Sequence, residues 1–135
     1  PISTRNILPN YFNRAGIPSQ DQSLTNMDIF CGLRTSPVWR DKFCQRYVEL
    51  VYTQFSAERL VGILDEMEAV MKPEMKRHIS RWGEPSSVSA WESNINDLRK
   101  CLKERGEYSL KFLQREFELS DAQMQAYKDA AGTPQ

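Results

Sequence analysis

The sequence predicts an all-α fold, a compact bundle of about five to seven helices behind an irregular N-terminal arm. Three observations carry that prediction. Apolar residues recur at spacings of three and four over most of the chain from residue 24 onward. Serines able to cap helices stand just ahead of those periodic runs. No stretch alternates apolar with polar residues as a half-buried strand would, and no repeat recurs at a fixed period.

Residues 1–23 read as the arm, because PISTRNILPNYFNRAGIPSQDQ holds three prolines and a glycine without a sustained period. Ile7, Leu8, Tyr11 and Phe12 give it apolar contacts with which to dock on the helices. Residues 24–135 form the helical domain. A short first helix near Thr25–Leu33 sets Met27, Phe30 and Cys31 on one side, and Thr35, Ser36 and Pro37 end it.

Ser36 followed by Pro37 is a helix start, since the serine accepts from orphan amides and the fixed φ of proline suits the first helical position. The second helix runs to about Gln54, and Trp39, Phe43, Cys44, Tyr47, Val48, Val51 and Phe55 give its buried face. Ser56 caps a third helix, with Glu58 in the first turn, where the helix dipole favours negative charge. Leu60, Ile63, Leu64, Met67, Val70 and Met71 supply its stripe.

Pro73 lacks an amide hydrogen and disfavours helix at Lys72, so a break or kink is expected there, with a further helical turn or two through Trp82. Gly83 and Pro85 close that segment. The serine cluster SSVS that follows supplies alternative caps for a helix containing Trp91, Ile95, Leu98, Cys101 and Leu102, and Ser89 with Glu92 has capping-box spacing. The chain can turn at Arg105–Gly106 before a short helix with Leu110, Phe112, Leu113 and Phe117. Ser120 and Gln123 fit a second capping box, opening a polar terminal helix that ends near Gly132.

A composition of 40% hydrophobic and 27% charged residues is that of a globular chain rather than a disordered one. Eighteen basic residues balance eighteen acidic ones, so no net field draws in nucleic acid. No apolar run approaches the roughly 20 residues of a membrane helix, so a soluble chain without membrane insertion is expected. Cys31, Cys44 and Cys101 are widely spaced and have one histidine to join them, which disfavours a disulfide framework or a zinc site. Pro1 in place of a methionine suggests a preceding region.

Catalytic motifs are missing. The six glycines are scattered, so no phosphate-binding loop forms. His78 is the natural general base, yet no nucleophile signature accompanies it, and a helix histidine that hydrogen-bonds near Arg77, Arg81 or a neighbouring carboxylate is the simpler reading. Asp65, Glu66 and Glu68 could hold a hard cation, but nothing completes the coordination, and a solvated face is favoured. Trp39, Trp82 and Trp91 fall in amphipathic patterns and are expected to pack between helices.

From Phe30 through Leu119 the chain resembles the C-terminal helical part of the CotH family, the spore-coat-protein-type atypical kinases of bacteria and some fungi. The stretch SPVWRDKFCQRYVELVYTQFSAERL is similar to that family's aromatic and basic helix, its short joint and its next helix. More specific is LDEMEAVMKPEMKRHISRWG, where Asp65, Met67, Pro73, Glu74, Met75, His78, Ile79, Arg81 and Trp82 follow the family order. Trp91, then Leu98, Arg99 and Arg105, continue it. These residues are expected to be structural.

The resemblance implies that the helical domain is the C-terminal portion of a larger kinase-like domain. The parent would bind ATP and a divalent metal and phosphorylate a protein, in a spore-coat, envelope or secreted setting. The family's nucleotide-binding lysine and paired aspartates precede the helical block, and no position here matches them. Asp21 and Asp28 lie in no catalytic or metal-loop context. Catalytic, cofactor-binding and metal-ligating residues are therefore assigned to none of these positions.

The expected role is a non-catalytic support segment, partnered by an upstream kinase-like region and able to self-associate when isolated. An independent helical protein-interaction module is the alternative. A small enzyme using His78 with Asp65 or a cysteine is a third reading.

Overall fold

Five helices follow one another in a computed structural model that describes residues 26–132, with side chains described at Ile29 and from Cys31 onward. They are α1 (Asn26–Leu33), α2 (Pro37–Tyr52), α3 (Ala57–Trp82), α4 (Val88–Glu116) and α5 (Asp121–Ala131). No strand occurs among the described residues. The arm and the contacts expected of Ile7, Leu8, Tyr11 and Phe12 lie outside them, as do the side chains of Met27 and Phe30.

Short polar side chains start the helices. Ser36 accepts from the Trp39 amide with Pro37 in the first turn, and Ser56 accepts from the Arg59 amide ahead of Glu58. At α5 the capping box is complete: Ser120 Oγ accepts from the Gln123 amide at 3.2 Å, and the Ser120 amide donates to Gln123 Oε1 at 2.9 Å. Gly83, at φ 75°, closes α3 by donating to the Ile79 carbonyl at 2.8 Å.

Three expectations about these elements need correction. Pro73 does not break α3, which runs on to Trp82. Pro73 cannot donate to the Ala69 carbonyl, and both residues are exposed, so water can serve that carbonyl. Buried Leu64 and Met75 meanwhile hold the helix against α4 on both sides of the proline.

At Arg105–Gly106 there is no turn, because α4 is one helix of 29 residues. Gly106 instead faces α2, where an added Cβ would stand 3.5 Å from Val51 Cγ1. The cap of α4 is Ser87, one of the serines of the cluster, which accepts from the Ala90 amide at 3.0 Å, and Ser89 lies inside the helix, so its capping box with Glu92 does not form. Glu92 pairs with Lys72, whose Nζ lies 2.9 Å from its carboxylate.

Helix α4 belongs to two layers. Its C-terminal half packs with α2 and α5 around Cys44, Val48, Leu110, Leu113, Phe117 and Met124, and Trp39, Phe43, Tyr47 and Tyr127 cover that cluster. Phe117 stacks on Phe43 with centroids 5.3 Å apart, and Phe43 stacks on Trp39 at 4.8 Å. Truncating so enclosed a side chain as Phe117 to alanine would cost about 3–5 kcal/mol. The N-terminal half of α4, with buried Trp91, pairs with α3 and its buried Leu64 and Met75.

The end of α4 is held from outside. Arg34 donates to the Glu116 carbonyl at 2.6 Å and pairs with the Glu116 carboxylate at 3.1 Å, while Arg40 donates to the Phe117 carbonyl. Two guanidinium groups thus meet the negative end of the helix dipole. Both also lie over the Phe117 ring, 5.6 and 5.5 Å from its centroid.

Candidate functional site

Most of the residues that carry the family resemblance lie on the α3–α4 pair, whose two long edges differ. One edge is closed by ion pairs. Arg99 donates through Nε and Nη2 to Asp65 Oδ1 at 3.1 and 2.7 Å, and through Nη2 to Glu68 Oε2 at 2.6 Å. Further along, Lys72 meets Glu92. These hydrogen bonds to carboxylates favour the charged forms of Arg99 and Lys72 and raise their affinity for the proton.

Asp65 and Glu66 are exposed, in keeping with the solvated face expected of them, and Glu68 is half-buried; Asp65 and Glu68 also join the two helices through Arg99. Nothing in the local sequence joins Arg99 to them, since the partners are 34 and 31 residues apart. Their separation by three positions, which places both carboxylates on one stretch of helix surface, is the signal that could have pointed there.

The opposite edge is apolar and open. Ile63, Met67 and Met71, one helical turn apart in succession, are 43%, 56% and 45% exposed, and Val70 beside them is 78% exposed. The antiparallel register set by Arg99 brings Leu98 of α4, 44% exposed, to the level of Met67, which lies between Asp65 and Glu68 in sequence. This corrects the expected stripe of α3. Leu64 is its buried member, Leu60 is half-buried, and the rest face outward because α3 packs chiefly against a single helix, α4.

The family-pattern residues separate accordingly. Met75 and Trp91 are buried, and Ile79 is half-buried. Met67, Pro73, Glu74, His78 and Arg81 are exposed on α3, and Glu74 reaches Arg77 at 3.9 Å. Trp82, expected between helices, is instead 64% exposed, with the Arg81 guanidinium 5.0 Å from its ring centroid. Its place in the last turn of α3 carries it past the end of the packed face. Trp39 is half-buried against Phe43.

Among the described residues no reaction centre is assembled. His78 is exposed, and its imidazole makes no hydrogen bond to a described residue, contrary to the bond expected near Arg77, Arg81 or a carboxylate. Burial pushes the Cys44 thiol up to about 11, which keeps it neutral and unreactive at ordinary pH. Among the described residues no group of His, Cys, Asp and Glu is placed to hold a metal ion. No described helix is long and apolar enough to cross a membrane.

A cleft lies between the start of α2, the end of α4 and α5. This cleft of about 380 Å³ is lined by residues that include Arg40, Asp41, Phe117, Glu118 and Tyr127. Tyr127 donates to Asp41 Oδ1 at 2.8 Å across it. Burial, and then that bond, push the Tyr127 hydroxyl up to about 12.

No curated protein and no solved structure matches the chain. The sequence pattern of the family described as CotH kinase protein matches residues 11–109. That match starts further toward the N-terminus than the motifs that carry the resemblance, spans α1 to α3, and ends at Ser109 inside α4. With well over half of its residues inside the matched stretch, the chain belongs to the CotH kinase protein family.

Proposed function

We propose that this chain is a non-catalytic helical support block of a CotH-like protein kinase. Its parent polypeptide would carry ATP, the divalent metal and phosphate transfer to a protein substrate on other residues. The observation that supports this reading is the open apolar edge formed by Ile63, Met67, Val70, Met71 and Leu98. A contiguous exposed apolar patch usually has a partner. A kinase-like region packed on this edge would gain a rigid backing fixed to α4 by Arg99 and Lys72.

The test is a thermal melt of the 135-residue chain with and without excess magnesium and ATP. A ligand that binds only the native state raises the melting temperature. No shift is expected, and a saturable rise would sink the proposal by locating a nucleotide pocket within these residues.

A second reading, an independent helical interaction module, has one observation in its favour. Leu110, Leu113, Phe117 and Met124, which close the core, all lie past the family-matched stretch. The two readings part on Met67→Glu combined with Leu98→Glu in a longer kinase polypeptide that contains these residues. The support reading expects phosphate transfer to fall at least tenfold while the 135-residue chain melts as before. The module reading expects full transfer.

A further inference from the structure

No further inference is drawn: the strongest candidate outside the α3–α4 edge, the cleft of about 380 Å³ between the start of α2, the end of α4 and α5, is lined by polar groups that already bond one another, Tyr127 to Asp41 and Arg40 to the Phe117 carbonyl, so nothing in it points to a ligand.

Discussion

Arg99 of α4 holds Asp65 of α3 through two nitrogens on one carboxylate oxygen, Nε at 3.1 Å and Nη2 at 2.7 Å, and Nη2 also reaches Glu68. Because Asp65 is half exposed, salt should weaken the contact. Arg99→Met is expected to lower the melting temperature at low ionic strength. The gap from wild type should narrow as sodium chloride is added. A gap independent of salt would show that the stem of Arg99, rather than its charge, holds the helices together.

Tyr127 supplies a dependence on alkaline pH. Its hydroxyl ordinarily titrates at 10.0 and is raised to about 12 in the fold, so the fold favours the protonated form that donates to Asp41. The stabilisation is complete below pH 10.0 and is lost as pH rises through about 12. Ultraviolet titration should find Tyr127 ionising last, with Tyr52 also raised by burial, and Tyr127→Phe should remove the latest step. The variant should also show a shallower fall in melting temperature across this interval. An unchanged late step in the variant would assign it to another tyrosine.

Glu118 adopts φ 51° just after α4, where the Leu119 amide donates to the Gln114 carbonyl at 2.9 Å and the Glu118 amide to the Arg115 carbonyl at 3.3 Å. This is the helix-ending arrangement that glycine fills without strain. Glu118→Gly should stabilise the chain by about 1 kcal/mol, the steric cost of a left-handed residue less the extra freedom of unfolded glycine. Urea unfolding would check it, and a lower midpoint would mean that the Glu118 side chain contributes more than its backbone costs.

Gly62 sits inside α3, exposed, with nothing within 4 Å of an added Cβ. Gly62→Ala should therefore raise stability by about 0.5–1 kcal/mol through helix propensity. Circular dichroism melts would show the rise. A loss would imply that this part of α3 bends in a way a side chain obstructs.

The places where sequence reasoning succeeded and failed have physical causes. Caps were legible at Ser36, Ser56, Gly83 and Ser120 because a cap is settled by a few neighbouring residues. No break occurs at Pro73 and no turn at Gly106 because local propensity was the weaker force at both: packing of α3 against α4 and of α4 against α2 holds each helix through. Periodicity marked the apolar side of α3 but could not say that a single neighbour would cover only part of it. The family was legible from the run between Asp65 and Trp82. The Arg99 anchor was not, because it joins residues more than 30 positions apart.

The unbroken course of α4 has a consequence for how the molecule comes apart. One end of this helix completes the layer with α3 and the other the layer with α2 and α5, so neither layer owns it. Loss of order in one layer frees a rod on which the other depends. Native-state hydrogen exchange should therefore find both layers opening as a single cooperative unit, with amides in the middle of α4 among the slowest to exchange.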